Sequence, residues 1–289
     1  MSKQFNFGKL FDHEDMEERI RRGHEIWLRE EKENPNNFSY WYDKIKHIPG
    51  VPKSIIFKFP DWMLDALTSG NIQDRDMIFE YFSRYVTPVV ANELGFKPFK
   101  HNVVFMKNGC FSDKFDFSNS CKIEEITTES IVKHFLNLEY DALMFETYGD
   151  LELVFREYIS AANDPLDEAA YPTIYNGMPL RVELRAFYDF DKHEWLYDKF
   201  YWDWDYCYEK LPDEDKMVFE REYRNLHDNY LAERAGIRKF LEKHLEDVDL
   251  HGAWSVDILV DANSNYRLID MAVAERSAYW DPELIVKQI

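Results

Sequence analysis

The sequence predicts an α+β protein with mainly antiparallel sheets. Three observations carry that prediction: runs that alternate side chains as half-buried strands do, short polar turns joining such runs in pairs, and helices inserted singly between them. One pair is LRVELRAFYDF (180–190) with Glu194–Trp202 across Asp191-Lys192-His193. The other is WSVDILVD with YRLIDMAV, separated by an Asp-Ala-Asn-Ser-Asn turn. At 289 residues, 45% hydrophobic and 17% aromatic, the chain has the material for one large domain or two lobes.

Taken in order, residues 14–34 place acidic side chains first and basic ones within, with Met16, Ile20 and Ile26-Trp27-Leu28 at helical spacing, and so read as an amphipathic helix. Ser54–Phe59 is a β-branched run bounded by prolines, a short strand. Helices follow over Trp62–Leu67 and Asp74–Leu94, the second stopped by Gly95 with Pro98 beyond. HNVVFMKNG and FSDKFDFS read as strands, and Thr127-Thr128-Glu129-Ser130 opens a helix over 129–138. Two apolar strands, Ala142–Thr147 and Leu151–Tyr158, lead into a polar, proline-containing loop that ends at Met178. Pro212 precedes a long charged helix to Leu245, whose charge is that of a solvated face. This organisation divides the chain into a mostly helical region with one short strand (1–98) and a strand-rich region (99–289).

With 55 acidic against 35 basic residues the formal charge is -20, which opposes binding to a nucleic-acid backbone. Cys110, Cys121 and Cys207 are odd in number and lack zinc-site spacing, so they read as ordinary thiols of a reducing compartment. The opening MSKQFNFGKLFDHED has no apolar core, and no stretch approaches the roughly 20 apolar residues of a membrane span. A cytoplasmic protein without membrane or nucleic-acid partners is expected.

The last hairpin holds the most informative spacing. If Asp261 pairs with Tyr266, Asp257 lies directly opposite Asp270, with Cβ atoms about 4.5 to 5.5 Å apart on one face. Two carboxylates so placed repel; a bridging divalent cation would relieve them, and so would solvation or a salt bridge. Positive charge of matching kind lies in VVFMKNGCFSDKFDF, where Lys107 ends an apolar strand and Lys114 follows after a loop with Gly109 and Ser112. Such a loop can set two ammonium groups and several backbone N–H donors around a phosphate chain, although a strand-end lysine is more often a surface residue. Arg156 and Glu157 in LVFREYI, and Arg185 in VELRAFYDF, interrupt apolar runs and so need partners. His101, His193 and His251 read as structural or solvent-facing. The aromatic run Tyr201-Trp202-Asp203-Trp204-Asp205-Tyr206 reads as packing in preference to the lining of a substrate pocket.

In this order VFMKNGCFSDKF, LVFREYI, LRVELRAFYDF with LYDKFYW, and WSVDILVD with YRLID resemble the ATP-grasp superfamily over roughly residues 100–275. Within it they are similar to the cell-division-cycle 123 family and to a phage and bacterial clade marked by one arginine and two lysines. The resemblance implies two β-rich lobes around ATP and Mg²⁺, with Lys107, Lys114 and the Ser112 loop on the phosphates. It further implies that Arg156, Glu157 and Tyr158 receive the adenine, and that Arg185 meets the triphosphate or an acyl phosphate, with Lys199 beside it. Asp257 and Asp270 are the implied Mg²⁺ ligands. The family usually has Asn two residues after the second aspartate; here that position is Ala272, and Glu275 is the candidate replacement. The implied activity is that of an ATP-dependent carboxylate–amine ligase acting through an acyl phosphate on a peptide or protein. The alternative is an ATP-binding escort protein with little turnover.

Overall fold

The computed structural model describes residues 29, 33–69, 71–95, 103–144, 152–161 and 171–286. The chain divides into two units, Met1–Asn34 and Pro35–Ile289. The helix expected over 14–34 lies almost wholly outside the described residues, and the described strands, with the helices from Phe38 onward, belong to the second unit.

Helix α1 (Phe38–Ile45) buries Phe38, Trp41, Tyr42 and Ile45, one face of a short amphipathic helix. It leads to β1 (Ser54–Lys58) and α2 (Trp62–Ser69). Helix α3 (Ile72–Tyr81) continues through a π turn (Phe82–Val86), α4 (Thr87–Val90) and a second π turn (Ala91–Gly95). Pro88, which has no N–H to return to the preceding turn, lies just past the first irregularity.

The next strand, β2 (Val104–Asn108), is buried throughout. The segment FSDKFDFS corrects a sequence expectation: it forms a 3-10 turn (Lys114–Asp116) and α5 (Phe117–Ser120) instead of a strand. Phenylalanines at alternate positions imitate a strand there. The amides of Phe117 and Ser118 instead donate to the carbonyls of Tyr175 and Asn176, at 3.1 and 3.0 Å. Those two residues precede Gly177 in a turn with φ of 49°, 52° and 100°, and a Cβ on Gly177 would lie 2.3 Å from Ser118 Oγ.

After β3 (Lys122–Ile123), helix α6 (Thr128–Met144) runs six residues past its expected end. The buried stripe Ile131, Phe135, Leu138, Ala142 simply continues, so the strand expected from Ala142 is helical as far as Met144; 145–147 lie outside the described residues. Ala, Leu and Met are strong helix formers, and four apolar residues in a row do not distinguish strand from helix.

Strand β4 (Glu152–Glu157) pairs antiparallel with β1 and β2, giving a four-stranded sheet in the order β1-β4-β2-β3. A two-stranded ribbon, β5 (Thr173–Ile174) with β6 (Met178–Pro179), precedes the second sheet. That sheet contains β7 (Glu183–Asp189), β8 (Glu194–Phe200), β9 (Ala253–Val260) and β10 (Tyr266–Val273), in the order β10-β9-β7-β8. Both are antiparallel, as the alternating runs predicted.

Between β8 and β9 come α7 (Trp204–Cys207), a 3-10 turn (Tyr208–Lys210) and α8 (Asp213–Leu245). In α8, Asp213, Glu214 and Asp215 occupy the first turn and Lys243 and His244 the last, matching the helix dipole. It buries Phe219, Leu226, Tyr230, Ile237, Leu241 and Leu245 as one stripe beneath an otherwise charged surface. A 3-10 turn (Ala274–Arg276) and α9 (Pro282–Val286) end the described chain. None of the described helices is long and apolar enough to cross a membrane.

Candidate active site

The first sheet sorts its side chains by parity. Val104 and Met106 of β2 join Leu153 and Phe155 of β4 in an apolar core with α3 and α6. Phe105 and Lys107, with Val154 and Arg156, therefore face the other way, because Phe105 stands opposite Arg156 and Lys107 opposite Val154 in the ladder. The Arg156 guanidinium lies 4.7 Å from the centre of the Phe105 ring.

In the second sheet, register brings four charged residues into one row. Asp270 stands opposite Asp257, Asp257 opposite Arg185, and Arg185 opposite Lys199. The expected pairing of the two aspartates is thus present, but by a different route. The turn places Tyr266 opposite Val260 in place of Asp261, and a bulge at Ile269 restores the register by one residue. Ile269 also turns its carbonyl to accept from Arg156 Nη1, linking the two sheets.

The row meets the first sheet at Lys107, whose ammonium donates to both Asp270 oxygens at 3.1 Å. Arg185 holds Asp257 through two parallel bonds of 2.7 Å, Nε to Oδ1 and Nη2 to Oδ2. Of the three relief mechanisms left open for the paired aspartates, the structure shows salt bridges. The Lys107 side chain is only 3% exposed, whereas that of Asp270 keeps 34% of its surface open. Burial pushes the Asp270 carboxyl up, but Lys107, Arg156 and Lys114 pull harder and hold it below its ordinary value. For Arg185, burial lowers and Asp257 raises, and Asp257 prevails.

Lys107, Ser112, Lys114, Arg156, Glu157, Tyr158 and Asp270 line one cleft that opens to solvent. These segments are remote in sequence, and the fold brings them together. Glu157 is held by its amide to the Lys53 carbonyl at 2.8 Å and faces Arg267 at 3.7 Å. Asp257 lies beneath the cleft, 2% exposed. Arg185 lines a neighbouring pocket, and Lys199, next in the row, lines neither. Glu275 is exposed in the turn after β10 and lines neither.

Of two further residues of the site, one was not singled out in the sequence and the other was read there as packing. Glu183, buried in the cleft two positions before Arg185 on the same face, has an Oε2 with no hydrogen-bond partner among the described residues. Burial raises its pKa against the pull of Lys114 and Arg181. The available signal was a second charge in the same alternating run. The other is Tyr201, whose hydroxyl accepts from Lys114 Nζ at 2.7 Å and whose ring lies between Lys114 and Arg185, 4.5 and 5.4 Å from its centre. Burial lowers the Lys114 pKa, but Tyr201, Glu183 and Asp257 outweigh it and keep that ammonium charged.

No protein-family model matches the chain, and none of the curated proteins matches it. Solved structures with some likeness include the biotin carboxylase domain of Hydrogenobacter thermophilus 2-oxoglutarate carboxylase, in complex with MgADP, ADP and bicarbonate (12% identity, 83% of this chain and 40% of that one, TM-score 0.38). D-alanyl-alanine synthetase A from Vibrio cholerae is another (12% identity, 87% and 64%, TM-score 0.31). A third is the ATP-grasp ligase PsnB complexed with minimal precursor (11% identity, 88% and 61%, TM-score 0.32). The chain spans 40% to 64% of the length of these proteins.

Proposed function

We propose that this chain is an ATP-grasp protein that binds Mg-ATP in the cleft between its two sheets and uses it as a carboxylate–amine ligase. The observation that carries this reading is the opposed row Asp270, Asp257, Arg185, Lys199 facing Lys107. In the structure its charges neutralise one another as Lys107–Asp270 and Arg185–Asp257. A magnesium triphosphate lets the pairs exchange partners without stranding a buried ion. Lys107, Lys114 and Arg185 would hold the phosphates, and Asp257 and Asp270 would hold the metal. Leaving any of these groups unpaired would cost several kcal/mol, on the order of 3–5.

The donor set fits Mg²⁺, which is commonly held by one or two carboxylates together with substrate phosphates and water. Asp257 and Asp270 supply two carboxylates on one face. Among the described residues no group of three metal-ligating side chains occurs, so phosphate oxygens and water would complete the shell, and Glu275 would have to move inward to join it. Bound there, the metal would neutralise charge on the transferring phosphoryl group. Tyr158 and Ile159, which line the cleft just past β4, are the residues placed to meet the adenine.

In the reaction, a carboxylate oxygen of the substrate bonds to the γ-phosphorus while the bond to the β–γ bridging oxygen breaks, its electron pair leaving on ADP. An amine then attacks the acyl carbon, phosphate departs with the C–O pair, and the amine proton passes to solvent. The chain's part is positioning and charge neutralisation by Lys107, Lys114 and Arg185. A coupled assay of ADP release over matched carboxylate and amine pairs tests this. Release that requires both co-substrates is expected; nucleotide binding without release on any pair would replace the ligase with the escort reading.

A further inference from the structure

Beside the cleft lies a second pocket of about 690 Å³, joined to it at Lys114 and Met178, which line both. Its walls are aromatic: Tyr175, Tyr201, Trp202, Tyr206 and Tyr279, with Phe115 at the opening. It also presents Lys114, Arg185 and Lys210, and among the described residues that line it there is no carboxylate. Arg185 is held from behind by Asp257, so Lys114 and Lys210 are the lining cations without a carboxylate bonded to them in the pocket, a local basic feature in a chain of formal charge -20.

The pocket is built at some cost to the backbone. Tyr279 has φ 69°, a left-handed conformation unfavourable for an aromatic residue, and is fixed from several directions. Its hydroxyl donates to the Tyr201 carbonyl at 2.9 Å, and its own carbonyl accepts from Tyr197 Oη at 3.0 Å. Its ring stands 4.6 Å from that of Tyr206. The preceding carbonyl, of Ala278, accepts from Arg185 Nη1 at 3.4 Å, which couples this wall to the charged row. At the rim Tyr206 and Phe115 remain 43% and 49% exposed, large aromatic surfaces with unburied area to offer. Lys210 Nζ lies 3.2 Å from the centre of the Tyr206 ring.

Resting on the proposed nucleotide site, we infer that this pocket receives the carboxylate substrate and selects one carried on an aromatic group. The anionic end enters toward Lys114, where the pocket meets the cleft, and toward Arg185, so that these two cations would stand between the carboxylate and the γ-phosphate it attacks. The aromatic body stacks among Tyr206, Tyr279 and Tyr175. Peptide C-termini ending in an aromatic residue and small aryl acids share this chemistry.

The test is calorimetric titration of N-acetyl-phenylalanine into the full chain with Mg²⁺ and a non-hydrolysable ATP analogue, and again without nucleotide. N-acetyl-alanine, N-acetyl-phenylalaninamide and phenylacetate serve as comparison probes. N-acetyl-phenylalanine is expected to bind about tenfold tighter than either the alanine analogue or the amide. Tyr206→Ala is expected to weaken it about fivefold or more, with the analogue's affinity measured in the same samples. Phenylacetate binding as well as N-acetyl-phenylalanine would assign the pocket to small aryl acids; markedly weaker binding would assign it to peptide termini. Equal affinity for the phenylalanine and alanine probes, or no effect of Tyr206→Ala, overturns the inference. If the analogue itself does not bind, the nucleotide reading fails, while the titration without nucleotide still decides the pocket.

Discussion

Asp270 carries the site's pH dependence. Its folded-state pKa lies below the ordinary 3.8 because Lys107, Arg156 and Lys114 overcome the effect of burial. A lowered carboxylate pKa contributes stability that is present above the ordinary value and lost as pH falls through the folded one. Asp270→Asn is therefore expected to flatten the decline of Tm below about pH 4. At neutral pH the same change should destabilise the ligand-free protein by about 1–3 kcal/mol, since it leaves the buried Lys107 with a weaker partner. Thermal melts of both proteins across pH check this, and parallel acid limbs would contradict it. At this scale the sequence is informative in part: the pairing of Asp257 with Asp270 was expected from a turn register that is off by one residue, and it holds because the bulge at Ile269 makes up that residue. Tyr201 was not legible, because nothing in an aromatic run distinguishes a ring that packs from one that bonds a remote lysine. Trp204 from the same run packs against Tyr208 and Phe219 as expected, while Tyr201, Trp202 and Tyr206 line the second pocket.

Strands that alternate against a polar turn were the readable elements, and β7 to β10 follow that pattern. The misread ones, FSDKFDFS and the end of α6, had local patterns that tertiary contacts overrode. In the first, the amides are taken by the Tyr175–Gly177 turn; in the second, a buried stripe carries the helix on, and Glu139 on it accepts from Asn108 Nδ2 at 3.0 Å. The long charged helix α8 also has an anchor invisible in its composition. Tyr230 Oη donates to Asp198 Oδ2 at 2.7 Å, and Arg234 Nε donates to the same carboxylate, whose side chain is 1% exposed. Asp198 sits on β8 immediately before Lys199, so this bond fixes the helix to the strand that ends the charged row. Tyr230→Phe is expected to cost about 1–2 kcal/mol in urea denaturation at unchanged m-value. A loss within about 0.3 kcal/mol, the limit of additivity for independent sites, would mean that the anchor does not hold α8.

For the whole molecule, the charged segments singled out in the sequence are remote from one another along the chain, and the fold brings them together. Strand parity turns Lys107 and Arg156 away from the core of the first sheet, and antiparallel register lines up Asp270, Asp257, Arg185 and Lys199 on the second. No single segment contains the cleft; it exists only when the sheets face each other, which local pattern cannot report. In the proposed function, this pairing of opposite charges holds the place that Mg-ATP would take. Calorimetric titration of Mg-ATP into the wild type, Lys107→Ala and Asp270→Asn tests it most directly. Wild-type binding is expected to require Mg²⁺ and to be weakened by each substitution by about tenfold or more, equivalent to about 1.4 kcal/mol. Absence of binding to the wild type, or binding indifferent to both substitutions, would contradict it.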